Sequence, residues 1–308
     1  MNIRWKRFLF IIFALFVTTF SISVSSSQSQ LTSFGFSYLD IDAYPDDPVY
    51  QQVAFPFDSN NILALCTLTH YWPSGDNDMG AICSFENWDW TNRRLTFIAR
   101  SYDSNSGFSR FRAVLIDMDL FPMIDGLFFV IKEGSTYILY QNQEYDIDNP
   151  AVFHLDNYDA DFVPVISVIE YSPNGDDDFN YSIQFEGYNQ LTFTGFNGND
   201  GSYASGYVYL FKPNYANTRG YDMFVSWGQI TGTNGQNNSQ IIPLAYHDHE
   251  SRMGIPTLTQ YLPGSADDFE VYGLVNLWTT PERAFLVADA GDAISSAGFL
   301  YSVFTIWP

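Results

Sequence analysis

The sequence has few basic residues, and this shortage excludes some partners. Its 308 residues include 13 Lys and Arg against 35 Asp and Glu, which gives a formal net charge of −22 at pH 7. Phosphate binding depends on clustered Lys and Arg, so we expect no nucleic-acid partner. The charge suits divalent cations, cationic or neutral partners, or simple solubility. A hydrophobic content of 46% and an aromatic content of 18% can build a folded core, which argues against disorder.

Motifs of catalysis are also missing. The chain has no G-x-S-x-G, no H-E-x-x-H and no phosphate-binding loop. His247 to Glu250 ("HDHE") is the only histidine cluster, and it matches either a zinc or copper pair or, more often, an exposed loop. His70 aligns with Glu170 and Gln260 in the repeats described below, which predicts an exposed strand end. We therefore expect a protein that is not an enzyme.

The N-terminus has the layout of a secretory signal peptide. A basic start, "MNIRWKR", precedes an apolar run from Phe8 to Phe20 and a Ser-rich tail, so residues 1–27 are predicted to be removed on export. The alternative is a retained anchor, although the run is short for a bilayer span. We expect a secreted, extracellular protein with no membrane insertion after cleavage. The sequons at Asn180 and Asn237 predict glycosylation.

A similar acidic turn occurs three times in the sequence, as "HYWPSGDND" from His70, "EYSPNGDDD" from Glu170 and "QYLPGSADD" from Gln260. Aromatic residues at Trp88, Tyr188 and Trp278, and the triplets "SGF", "SGY" and "AGF", follow at similar offsets. Long-period similarity of this kind predicts tandem repeats. We place them at residues 31–121, 122–212 and 213–308.

Each repeat is composed of short runs rich in Val, Ile, Phe, Tyr and Thr, separated by Gly, Pro, Asn and Asp, which is typical of strands and turns. The third repeat has six such runs. We predict an all-β protein of three tandem six-stranded antiparallel β-sandwich repeats. A β-propeller is the alternative, but its blade period of about 40–45 residues fits badly.

The two cysteines test this interpretation. A hairpin folded about Ser74 and Gly75 would place Cys66 opposite Cys83, within disulfide reach. The residues 100 positions further on are Ile166 and Ile183, which indicates an apolar pair at the same place. We predict a disulfide worth about 3 kcal/mol. The alternative is two buried free thiols.

The acids of the repeated turn are candidate calcium ligands: Asp76, Asp78, Asp176, Asp178 and Asp268. Their Pro, Gly and Asn neighbours suit hairpin loops. Because the fixed spacing of a calcium loop is missing, a solvated acidic hairpin tip is the favoured alternative.

The order of these landmarks resembles the H-type lectin domain. The stretches "QVAFPFDSNNILALCTL" and "VNLWTTPERAFLVADAG" and the triplets that open the last strand carry the resemblance. It implies six-stranded sandwiches that trimerise and bind galactose-type sugars between protomers, so three copies in one chain would form an intramolecular pseudo-trimer. At the family's sugar-contact position only the first repeat has an aromatic residue beside a carboxylate, at Tyr102 and Asp103.

Aromatic rings stack on sugar faces, while carboxylates bind hydroxyl groups. We expect Trp88, Trp90 and Tyr102 to supply stacking, and Asp58, Arg100 and Asp103 to supply polar contacts. The alternative for the recurring aromatics is that they close the open end of each sandwich. The sequence thus predicts a secreted carbohydrate-binding protein whose partners are glycans or cell-surface glycoproteins. The second hypothesis is a structural or adhesive protein that assembles through its β-repeats, with calcium as the cofactor.

Overall fold

The computed structural model describes residues 31–33, 35–45, 47–73, 79–102, 107–155, 162–174, 179–186, 189–198, 200–216, 221–233, 237–241, 251–263, 270–276, 283–289 and 296–307. The predicted signal peptide, residues 1–27, lies outside these ranges. Every regular element within them is a β-strand, which confirms the all-β prediction. These ranges contain no helix that is long and apolar enough to cross a membrane.

The strands are, in chain order, β1 (Leu31–Ser33), β2 (Phe36–Ala43), β3 (Val49–Ala54), β4 (Ile62–Pro73), β5 (Gly80–Asp89), β6 (Arg94–Tyr102), β7 (Gly107–Asp117), β8 (Met123–Lys132), β9 (Ser135–Tyr140), β10 (Gln143–Asp148), β11 (Ala151–His154), β12 (Val163–Ser172), β13 (Asn180–Phe185), β14 (Gln190–Phe196), β15 (Tyr203–Phe211), β16 (Asn214–Ala216), β17 (Asp222–Thr233), β18 (Asn237–Ile241), β19 (Ser251–Leu262), β20 (Glu270–Asn276), β21 (Arg283–Asp289) and β22 (Ser296–Trp307).

The three predicted segments hold more strands than six. Within the described residues, β1–β7 fall in residues 31–121, β8–β15 in 122–212 and β16–β22 in 213–308. The second segment differs most, because the hairpin of β9 and β10 is inserted between β8 and β11.

The strands form three antiparallel sheets, and each sheet mixes two segments. Sheet A has the order β1-β2-β7-β4-β20-β21-β18, sheet B β10-β9-β8-β15-β12-β5-β6-β3, and sheet C β11-β14-β13-β19-β22-β17-β16. The strands β2, β7 and β4 of the first segment thus lie in sheet A, whereas its β5, β6 and β3 lie in sheet B. The other two segments divide in the same way around the three sheets.

Two segments meet at one strand pair in each sheet, and we call these pairs seams. Seam A joins β4 to β20, seam B joins β12 to β5, and seam C joins β19 to β13. The central residue pairs are Tyr71 with Val271, Tyr171 with Ala81, and Tyr261 with Tyr181. The three tyrosines on one side of the seams, Tyr71, Tyr171 and Tyr261, are separated by the same 100 and 190 residues as the repeated turns. The same separations relate their partners Ala81, Tyr181 and Val271.

An irregularity recurs beside each seam. The pairing of β4 with β7 shifts between Leu68 and His70, that of β12 with β15 between Val168 and Glu170, and that of β19 with β22 between Leu258 and Gln260. A β-bulge bends its strand and changes the direction of the side chains that follow. The same bend is therefore present where each segment passes its neighbour.

Three hydroxyl groups meet where β4, β12 and β19 pack on one another. Thr67 Oγ1 donates to Thr257 Oγ1 at 2.9 Å, and Thr257 Oγ1 donates to the Ile166 carbonyl at 2.6 Å. Ser167 Oγ donates to the Cys66 carbonyl at 2.6 Å. The side chains of Thr67, Ser167 and Thr257 have no solvent exposure. Buried polar groups stabilise a fold only when they are satisfied, so this chain of bonds fixes how the three strands pack.

A triangle of tyrosines lies further along the same strands. The ring centroids of Tyr71, Tyr171 and Tyr261 are 5.0, 5.1 and 5.5 Å apart, with the ring planes at 70–80° to one another. Edge-to-face contacts of this kind add to the stability gained by burying the rings. The Tyr71 hydroxyl donates to the Met79 carbonyl at 2.6 Å and the Tyr171 hydroxyl to the Phe179 carbonyl at 2.8 Å.

The disulfide prediction is confirmed, but its geometric argument is wrong. Cys66 and Cys83 form a bridge with their Cα atoms 6.2 Å apart. They are not partners in a hairpin, because β4 lies in sheet A and β5 in sheet B. The connections from β4 to β5, β12 to β13 and β19 to β20 each pass from one sheet to the next, so the hairpin interpretation of the repeated turns is also wrong.

Candidate functional site

The predicted ligand residues fall into two groups at opposite ends of β6. Trp88 lies near the end of β5 and Trp90 directly follows it, before β6 begins. Arg100 and Tyr102 lie in the last residues of β6. At about 3.3 Å per residue, the two ends of this strand are about 26 Å apart. The structure therefore does not bring these residues together in one site.

The first group is the tryptophan platform, which consists of Phe55, Trp88, Trp90 and Arg93. The indole rings of Trp88 and Trp90 stack with centroids 5.0 Å apart and an interplanar angle of 8°. Phe55, which is fully buried, packs edge-on against both rings at 5.6 and 5.5 Å. Trp90 keeps 46% of its surface exposed. An ordered and accessible aromatic surface results.

A break in the β5–β6 register brings the two indoles to one side. Glu86 pairs with Thr96, but the next pair is Asp89 with Arg94, so β5 has one extra residue at this end. Asn87, within the irregular stretch, has a φ of 57°. An extra residue of this kind changes the direction of the side chains that follow it.

Arg93 holds the loop beside the platform. Its guanidinium lies 5.0 Å from the Phe55 ring centroid and donates to the carbonyls of Phe57 and Ser59, the latter at 2.6 Å. Asp58 lies between these two residues and is exposed. An exposed carboxylate therefore lies on the loop that Arg93 holds.

A second carboxylate belongs to the turn that carries the tryptophans. Asp89 accepts hydrogen bonds from the Asn92 side-chain amide at 2.7 Å and from the Asn92 backbone N–H at 3.0 Å. These bonds lower the pKa of Asp89, so this carboxyl is ionised at neutral pH.

The second group lies at seam B. The Tyr102 ring covers Gly80, where an added Cβ would stand 2.1 Å from a ring atom, so only glycine fits under it. Across the seam, the Tyr203 hydroxyl donates to Glu170 Oε1 at 2.6 Å. Burial, then the Glu170 carboxylate, raise the pKa of Tyr203. Arg100 is exposed on the same strand as Tyr102, and Asp103 lies outside the described residues.

In seam A, the residue that corresponds to Glu170 is His70. The prediction that His70 lies at an exposed strand end is wrong. His70 is only 8% exposed, packs 4.3 Å from the Phe108 ring and contacts Glu270 Oε1 through Nε2 at 3.1 Å. Burial lowers the pKa of His70 to about 4. At seam C the equivalent Gln260 donates to Ser296 Oγ at 3.1 Å.

Sequence reasoning missed five residues of these two sites: Phe55, Arg93, Glu170, Tyr203 and Asp89. The alignment of His70 with Glu170 was a signal for the third of them, because it marked one recurring position. It did not show that the position faces a neighbouring segment.

Several predictions fall on residues that are not described. These are the calcium candidates Asp76, Asp78, Asp176, Asp178 and Asp268, the aromatics Tyr188 and Trp278, and the cluster from His247 to Glu250. Within the described ranges, no group of three or more His, Cys, Asp or Glu side chains is placed to hold a metal ion.

The two sequons differ in what the structure describes. Asn180 begins β13 at seam C and is only 3% exposed, which leaves no space for a glycan in the folded chain. Asn237 begins β18, and only its backbone is described.

In chemical terms, the tryptophan platform offers an aromatic face beside carboxylates, and seam B offers a phenol ring, a carboxylate and a guanidinium. Both suit a polyol ligand. The chain gave no match when compared with models of protein families, with curated proteins and with solved structures.

Proposed function

We propose that this is a secreted, non-enzymatic protein that binds carbohydrate at the tryptophan platform. The observation that carries the proposal is Trp90, whose ring is 46% exposed although it is held by Trp88 on one face. An aromatic ring open to solvent can stack on the C–H face of a sugar. Because the ring is already ordered, binding would lose little side-chain entropy.

The charges around the platform favour a neutral sugar. Asp89, which is half-buried and ionised, lies between the two tryptophans in the chain, Asp58 is exposed on the loop that Arg93 holds, and carboxylates accept hydrogen bonds from sugar hydroxyl groups. The same charges would repel sulfated or sialylated glycans, as would the net charge of −22.

We also propose that the chain consists of three sandwich units arranged as an intramolecular pseudo-trimer. The recurring bulges, the matched seams and the triangle of tyrosines support this proposal. On the resemblance to H-type lectin domains, a sugar would lie between units. Arg100 and Tyr102 at seam B would contact it, as would Asp103, the next residue in the chain, which lies outside the described residues. Seam B is thus a second candidate sugar site.

A glycan array probed with the mature protein, with and without calcium, tests the function. Trp90→Ala should abolish binding if the platform carries it, whereas Trp72→Ala, which removes another indole with 38% exposure, should not. Tyr102→Ala distinguishes the tryptophan platform from seam B, because a loss of glycan binding in this variant would show that seam B contacts the sugar. Absence of binding to any glycan would refute the proposed function.

The second candidate function is structural or adhesive assembly with calcium. Its support is that, among the described residues, each sheet ends in edge strands, for example β10 and β3 in sheet B, and edge strands can pair with other chains. Light scattering during a calcium titration tests it. Calcium-dependent oligomers without sugar binding would select this function over the first.

A further inference from the structure

We propose that the outer face of β8, β9 and β15, with its acidic border on β10, is a docking surface for a basic, amphipathic polypeptide. This inference goes beyond carbohydrate binding and concerns a different part of sheet B. We call the surface the hairpin face. Its apolar residues are Phe128, Val130, Tyr137, Leu139, Tyr207 and Tyr209.

The apolar residues form a continuous strip across three strands. Leu139 pairs with Phe128, and Phe128 pairs with Tyr207, so these three side chains lie in one row. The rings of Phe128 and Tyr207 are 5.1 Å apart, and Tyr207 stacks on Tyr209 at 5.7 Å. Leu139 and Tyr207 each keep 37% of their surface exposed. Contiguous apolar surface of this kind marks interaction sites.

The border of the strip is a row of carboxylates. In the β9–β10 pairing, Glu144 lies opposite Leu139 and Asp146 lies opposite Tyr137. Asp148 follows two residues later, and because side chains alternate along a strand, all three acids lie on the face that carries Leu139. All three acids are exposed, and none of them takes part in an ion pair found in the described residues.

Among the described residues, the second segment is the one that carries the hairpin that creates this face. β9 and β10 extend sheet B beyond β8, whereas the described neighbours on the outer sides of the equivalent strands β2 and β17 are the three-residue strands β1 and β16. The hairpin turn is Gln141 and Asn142, both with positive φ, at 49° and 61°. This is the two-residue type I′ turn that matches strand twist, so the added surface is well ordered.

Charge complementarity decides the occupant. Three carboxylates beside an apolar strip favour an extended segment with Lys or Arg along one side and apolar residues along the other. A second copy of this chain is disfavoured, because each copy has a net charge of −22 and would present its own acids. Lys132 is the basic residue of the face, and it lies at one end, opposite Tyr203.

The test uses the full chain and three labelled peptides of equal length, followed by fluorescence anisotropy. One alternates lysine with valine, one lysine with serine, and one glutamate with valine. We expect binding of the lysine–valine peptide, weaker binding of the lysine–serine peptide and none of the glutamate–valine peptide. Equal binding of the first two would mean that charge alone acts, and would overturn the docking surface.

Variants locate the binding. Leu139→Glu places a charge within the strip and should weaken the lysine–valine peptide about tenfold or more. Asp146→Lys/Asp148→Lys should weaken it and remove its salt sensitivity. The matched control is Leu274→Glu, which alters another exposed leucine, 44% exposed, on β20. If the Leu139→Glu and Asp146→Lys/Asp148→Lys proteins, shown to be folded by circular dichroism, bind the lysine–valine peptide as the parent does, the proposal is wrong. Sugar binding at Trp90 should be unchanged in Leu139→Glu.

Discussion

The disulfide between sheets A and B predicts that a second bridge can be built between sheets B and C. Ile166 on β12 and Ile183 on β13 lie 100 residues beyond Cys66 and Cys83, and both are buried in the same core, at 0% and 1% exposure. If the segments are equivalent, their Cα atoms have the separation that suits a disulfide. We therefore predict that Ile166→Cys/Ile183→Cys oxidises to a bridged, folded protein.

The magnitude follows from the length of the closed loop. The sequence separation equals the 17 residues of the native bridge, for which loop-closure entropy gives about 3 kcal/mol. Each Ile→Cys change also loses buried side-chain volume, at about 1–2 kcal/mol per site. The two effects nearly cancel against the parent chain. The informative reference is Ile166→Cys/Ile183→Val, which has similar volume but only one new thiol, and the bridged variant should be about 3 kcal/mol more stable.

The assay is a count of free thiols after treatment with oxidised glutathione, followed by peptide mass mapping and urea unfolding. Ile166→Cys/Gln184→Cys is the geometric control, because Gln184 is exposed on the opposite face of β13 and should not cross-link. A folded double variant that keeps both thiols free would refute the equivalence of the segments, and so would equal cross-linking in the control.

Three further predictions concern single positions. The pKa of His70 is about 4 in the folded chain and about 6.5 when unfolded, so the free energy of unfolding should fall by up to about 3 kcal/mol as pH drops from 6.5 towards 4. Urea unfolding measures this loss, and the part of it that comes from His70 should be absent in His70→Gln, which has the residue found at Gln260. Thr67→Val removes the hydroxyl that accepts the Val168 N–H at 3.2 Å and should cost about 2 kcal/mol in the same assay; a neutral result would contradict its structural role. Mass mapping of the protein expressed by secretion should find Asn180 unmodified, because it is buried.

The strands were the most predictable part of the fold. Five of the six runs of the third segment correspond to β17 and β19–β22, because β-branched and aromatic runs between Gly, Pro and Asn define strands locally. The remaining run, residues 240–247, overlaps β18 only at Gln240 and Ile241, and its other residues are not described. The assignment of strands to sheets was not predictable from the same pattern. A Pro- and Gly-containing turn can close a hairpin or lead to another sheet, and the local sequence suits both.

The cysteines show this limit clearly. Cys66 and Cys83 are equally far from Ser74 and Gly75, which is the signature of hairpin partners. They are bonded, yet the two strands face each other across the core between sheets. Distance from a turn predicts proximity in both geometries, so the prediction was right while its reasoning was wrong.

The candidate site was predicted only in part. Trp88 and Trp90 do lie together, as residues two apart near a strand end can. Arg100 and Tyr102 were grouped with them through the lectin resemblance, although the length of β6 separates the two pairs. Glu170 and Tyr203 were missed because they come from another segment, and no local pattern reports that Glu170 pairs with Ile82 across seam B.

The sharing of every sheet between two segments has a consequence for dissection of the chain. A fragment of residues 31–121 would keep β4 and β5 but lose the strands that pair with their outer sides, β20 and β12. Two unpaired backbone edges and the ring of Tyr71, which is buried in the whole chain, would then face water. Expressed alone, each third should aggregate or remain unfolded, whereas the three thirds mixed together should recover a common structure, since each supplies what the next one lacks.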